Sequence, residues 1–197
     1  MPESVKSIDT SVFGGCSNLQ SVTFAAIKQV DNYAFSACTK LSEIPIQNIK
    51  ERIGIAAFKD CIALSEVHFS TTMTTIDSAA FRGCTGIRQL AFPDSMRKIN
   101  GAVFRDNIAL KKVEIPSSVE VMEKSAFRDC SDLQTVDIQS ARIEIKKNVF
   151  RGCTKLFDLN IPENSLVKSS AFIDCPMREY VLAREDIRIE DDEAEVD

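Results

Sequence analysis

Seven cysteines, one histidine and a run of evenly spaced cations are the residues of this chain with chemistry to offer. The cysteines are Cys16, Cys38, Cys61, Cys84, Cys130, Cys153 and Cys175, set 22 or 23 residues apart except across one double interval, where Asn107 holds the missing place. No C-x-x-C occurs, and zinc needs ligands around a point rather than along a line. Their number is odd, and a constant spacing gives no pair a preferred disulfide partner. The pattern predicts a ladder of reduced, inward-facing thiols acting as small apolar side chains. Asn107 is a polar misfit in that column and needs hydrogen-bond partners; Asn107→Cys is expected to stabilise the fold. Buried thiols are inert in any compartment, so they leave the location open.

His68 lies between Val67 and Phe69, so strand alternation sends it outward, whereas Cys61 of the same repeat points inward. That separation denies the pair a nucleophile–base geometry. No residue is assigned as catalytic or as a metal ligand, and no cofactor is expected. Lys59, Arg82, Arg105, Arg128 and Arg151 also recur at the period. Stacked at roughly 5 Å they would repel one another, and Asp60, Asp106 and Asp129, each next in sequence, are placed to offset them. A nucleic-acid partner is not expected, because no aromatic residues interleave with these cations.

The elements that must position these groups follow from one repeated unit. Phe stands at 13, 35, 58, 81, 104, 127, 150 and 172. A fixed period of this size marks a solenoid. Counted from Phe13, Phe35, Phe58, Phe81, Phe104, Phe127, Phe150 and Phe172, the cysteine row lies three residues on. A Leu row follows at six, a Val/Ile/Leu row at nine and a Phe/Ile row at eleven. Positions nine and eleven alternate with polar residues, as a strand does. Phe, Cys and Leu recur every three residues, which suits one tight 3₁₀ or α turn, with Ser, Asp or Asn before it as a cap, as at Asp77-Ser78. A further row five residues before each Phe, from Ile8 to Val167, predicts a second short strand. One coil cannot bury its own apolar side, so coils stack with like over like in a single elongated domain. Eight coils at the strand spacing give a rod of roughly 35–40 Å with parallel sheet on one face.

The pattern I-x-x-x-A-F-x-x-C-x-x-L-x-x-V-x-I-P-x-S-V, seen from Met122 to Val136 and in IPSSVEVMEKSAF at 115–127, resembles the BspA-like class of leucine-rich repeats. The resemblance runs from Val5 to about Val181. It implies a mostly β, right-handed curved solenoid with short helical turns. It also implies a non-enzymatic recognition role, in surface or secreted microbial proteins that adhere to host proteins or other cells. An intracellular protein-interaction scaffold is the alternative.

The chain opens mid-repeat, with Met1–Val5 matching IPSSV: either translation starts there or the chain is a fragment of a longer array, the second being slightly favoured. The start has no signal-peptide pattern and no run approaches membrane-spanning length. The uncapped strand at 20–24 offers an open edge for self-association. The last copy decays at Cys175-Pro176-Met177-Arg178, leaving a final strand at 179–183. Residues 184–197 carry eight acids against two bases, so the body of the chain is near neutral and the end reads as a mobile acidic tail after a solenoid of residues 1–183. What remains for binding is the outward sheet surface, where Glu43, Glu66, His68, Arg88, Lys111, Lys112, Glu114, Asp137, Phe157 and Asp158 would face a protein ligand.

Overall fold

The computed structural model describes residues 1–192. Its strands are β1 (Ser7–Ile8), β2 (Ile27–Val30), β3 (Ile49–Ile53), β4 (Thr75–Ile76), β5 (Gln89–Ala91), β6 (Lys98–Ile99), β7 (Lys112–Ile115), β8 (Val121–Met122), β9 (Thr135–Ile138), β10 (Glu144–Ile145), β11 (Asp158–Leu159) and β12 (Leu166–Lys168), followed by helix α1 (Arg178–Leu182) and β13 (Arg188–Glu190). All pairings between strands are parallel. They form a solenoid of stacked coils.

The row five residues before Phe builds the more extensive strand system. Its strands order as β1-β2-β3-β4 and β6-β8-β10-β12-β13. The two ladders are interrupted between Ile76 and Ile99, where the Asn100 side-chain amide donates to the Ile76 carbonyl at 2.8 Å. The rows nine and eleven after Phe form the sheet face, with order β5-β7-β9-β11. There the regular strands begin only at Gln89. Before it, the sheet face has one bridge, Ser21 with Glu43. The open edge expected at 20–24 is thus not a strand, and the Met1 ammonium donates to the Thr23 carbonyl at 2.6 Å.

The Phe side is the continuous part. The Phe rings stack from Phe13 to Phe172 with centroids 5.1–5.9 Å apart. Each Phe amide from Phe13 to Phe150 donates to the carbonyl just before the next Phe, as Phe58 does to Ala80 at 2.8 Å. Residues two before and two after Phe donate likewise to the following coil, for example Ala79 to Gly101 and Asp106 to Arg128. Those flanking residues adopt left-handed backbone, among them Ala56, Ala79, Ala102, Asp60 and Asp129. A left-handed L-residue costs roughly 1–2 kcal/mol, and the inter-coil hydrogen bonds offset it. Asx side chains serve between coils rather than as caps: Asn32 Oδ1 accepts from the Ile55 amide, and Asp77 pairs with Arg52. The 3₁₀ helices at Ile46–Asn48 and Ser169–Phe172 carry no side-chain cap.

The β2–β3 ladder carries a register shift between Ile27, paired with Ile49, and Gln29, paired with Arg52. Two expectations change. Residues 178–182 form α1 rather than a strand. The helix satisfies its own backbone, and Val181 is buried in the core. Finally, the solenoid continues past residue 183: Ile187 is buried and β13 pairs with β12 in register, Ile189 beside Val167. The expected mobile tail thus begins with an ordered strand, and residues 193–197 lie outside the described residues.

Candidate protein-binding surface

The sheet face is set by alternation in β5, β7, β9 and β11. Leu90, Val113, Val136 and Leu159 point into the core. Their neighbours point out: Glu43, Glu66, His68, Arg88, Lys111, Lys112, Phe157 and Asp158 are exposed, while Glu114 and Asp137 are half-buried. Phe157 is 67% exposed, an unusual amount for a large aromatic side chain. Lys112 is held by Glu114 at 2.7 Å, and that hydrogen bond keeps its ammonium above the ordinary pKa. Arg88 and Lys111 form no ion pair among the described residues. The face therefore has a positive centre at Arg88 and Lys111 between acidic flanks, Glu43 and Glu66 on one side and Asp137 and Asp158 on the other.

A hollow of about 960 Å³ opens beside that centre. Glu66, His68, Arg88, Lys112 and Glu114 line it, with Phe69 and Phe92 among its apolar walls. Glu43, Lys111, Asp137, Phe157 and Asp158 lie outside its lining. The hollow borders a feature that the residue pattern hides. Ser65–Phe69 fits the strand alternation, yet these residues make no backbone hydrogen bond to the coil on either side. By contrast, Arg88 O accepts from the Lys111 amide at 2.7 Å one coil further on.

The thiol column is part of the scaffold under this face. Cys38, Cys61, Cys84, Cys130 and Cys153 are fully buried, and Cys175 nearly so. Cys16, in the first coil, is exposed. The buried thiols are more than small hydrophobes. Each of the five donates to the carbonyl of the Phe one coil earlier, at 3.0 Å from Cys38 and Cys84 and 3.2 Å from Cys61, Cys130 and Cys153. Burial pushes the Cys61 thiol up to about 12, with Cys38 adding to the shift, and raises Cys84, Cys130 and Cys153 as well. Asn107 performs the same task, its Nδ2 donating to Phe81 O and Phe104 O at 2.8 Å each. Its Oδ1 has no hydrogen-bond partner among the described residues.

On the turn side the basic column is threaded with carboxylates. Arg82 reaches Asp106 at 3.0 Å, Arg128 reaches Asp129 at 3.0 Å and Arg151 reaches Asp174 at 3.8 Å. These charges are spent on one another, unlike Arg88. His68 is exposed and Cys61 buried, so the two are not brought together. No helix among the described residues is long and apolar enough to cross a membrane.

Comparison with known proteins bears on this geometry. The family model for the BspA type leucine-rich repeat region matches residues 1–108 and 74–192 in six copies. A leucine-rich repeat protein from T. pallidum superposes with a TM-score of 0.76 at 26% identity, over 80% of this chain and 77% of that one. One from Eubacterium ventriosum gives a TM-score of 0.69 at 25% identity, over 80% of this chain and 43% of that one. One from Bacteroides ovatus, 21% identical, shares the fold with a TM-score of 0.57 over 95% of this chain and 55% of that one. This chain thus spans about half, or less, of the last two. No curated protein matches the chain.

Proposed function

Because the chain belongs to the BspA-type leucine-rich-repeat family, we propose that it is a protein-binding module whose sheet face docks a partner in adhesion or cell-surface recognition. Solenoids of this kind present extended surfaces suited to protein partners. The observation that carries the reading is the contrast within one face: the inward rows are uniform and buried, while the outward positions hold Arg88 and Lys111, neither in an ion pair among the described residues, acidic flanks and the exposed Phe157. Binding is the role supported, since the buried Cys61 and the exposed His68 are not brought together. A surface or secreted setting is the one the family implies.

The test is affinity capture from host-cell and self extracts on the immobilised protein, repeated with Lys111→Glu, Lys112→Glu and Phe157→Ala combined. A true partner is lost from the triple variant while its melting temperature stays unchanged. Retention of every captured protein would remove the sheet face as the site.

A further inference from the structure

We propose that the hollow beside Ser65–Phe69 receives an extended peptide segment of the partner, carrying a carboxylate that seats on Arg88. The proposal rests on the protein-binding reading above and names the kind of segment bound.

Three observations converge on that occupant. The first is backbone chemistry. Every non-proline residue carries one amide donor and one carbonyl acceptor that need partners, and Ser65–Phe69 gives none of them to the coils on either side. An extended chain supplies donors and acceptors in alternation, which is how a peptide adds to an incomplete ladder. A small free anion would engage Arg88 alone and leave those groups unmatched. The second is charge. Arg88 is exposed on the rim of the hollow and lacks an ion pair among the described residues, whereas the neighbouring Lys112 is already matched by Glu114. A guanidinium offers a carboxylate two parallel hydrogen bonds. The third is shape. The hollow, at about 960 Å³, lies at the upper end of the usual range for ligand clefts. Phe69 and Phe92 stack at 5.8 Å along its wall and give an aliphatic side chain next to the carboxylate an apolar seat.

The reading also explains why the site lies here and not further along the sheet. From Lys112 onward the sheet-face strands spend their backbone groups on each other, as Lys112–Ile115 does with Thr135–Ile138. Only side chains remain there for a partner.

The probes are two end-blocked hexapeptides of alternating Thr and Val, one with a central Glu and one with a central Lys. Binding is followed at low salt by fluorescence anisotropy and by amide hydrogen exchange. The Glu peptide should bind at least tenfold tighter than the Lys peptide. Arg88→Glu should reverse the order. Saturating Glu peptide should slow exchange at Ser65–Phe69 severalfold, with no change at Thr135–Ile138. Arg151→Ala, on the turn side away from the sheet face, should leave peptide binding as it was. Equal binding of the two peptides, no binding of either at millimolar concentration, or binding without protection at Ser65–Phe69 would overturn the proposal. A captured partner that is lost from the Lys111, Lys112 and Phe157 triple variant but indifferent to Arg88→Glu would leave the sheet face as the site and refute this occupant.

Discussion

The two sides of each coil are built to different standards. On the Phe side the backbone bonds run coil to coil from Ser11 to Ile173, the rings stack without a gap, and thiols seal the Phe carbonyls. On the sheet face the ladder is regular from Gln89 to Leu159, is reduced to one bridge in the first coils, and vanishes at Ser65–Phe69. The coils are therefore held together along the whole stack by the turn side, the core and the strands that precede Phe. The sheet face shares that duty only from Gln89 onward, so at Ser65–Phe69 part of its backbone as well as its outward side chains is available for contact.

This division can be broken from the turn side. Raising the pH acts on every buried thiol at once. Burial holds the folded thiols protonated above their ordinary value of 9.0, Cys61 to about 12. The unfolded chain therefore loses these protons first. Stability contributed by the neutral thiols is fully present below about pH 9 and is lost as pH rises toward 12, which urea titrations across that range would register. Phe104→Ala removes one ring from the middle of the stack and should cost about 3–5 kcal/mol by chemical denaturation; a loss under about 1 kcal/mol would show that the column does not bear the stack. Asn107→Cys is a finer probe. It keeps a donor for Phe81 O and eliminates the unpartnered Oδ1, so stability should rise by about 1 kcal/mol. A fall in melting temperature would mean the amide's two bonds outweigh its orphaned oxygen. Smallest of all should be the sheet face: Arg88→Glu or Lys111→Glu should shift stability by no more than about 0.5 kcal/mol, as exposed substitutions do.

How much of this was legible in the residues depends on whether side chain or backbone carries the feature. The period, the buried columns and the alternation at Val113 and Ile115 are side-chain patterns, and a stack of like on like makes them visible. The ordered end was legible too, because Ile189 stands 22 residues after Val167 and continues the row, but acidic neighbours obscure it. The left-handed turn residues were not legible, since Ala, Asp, Ser, Tyr and Gly all occupy them and the constraint comes from the coil above. The thiol bonds to Phe carbonyls were hidden for a similar reason: spacing shows that Cys faces inward, not what its hydrogen meets. At the candidate site the charged residues could be named one by one. The missing ladder at Ser65–Phe69 could not, because Val67 and Phe69 satisfy the same alternation that elsewhere pairs.

Native-state hydrogen exchange resolved to single amides tests the central claim most directly. The amides of Phe58, Phe81, Phe104 and Phe127 should exchange only through global unfolding, those of Val113 and Val136 nearly as slowly, and those of Ser65–Phe69 orders of magnitude faster in the free protein. Equal protection at Ser65–Phe69 and at Val113 and Val136 would contradict the account, because both sides of the coil would then be holding the stack.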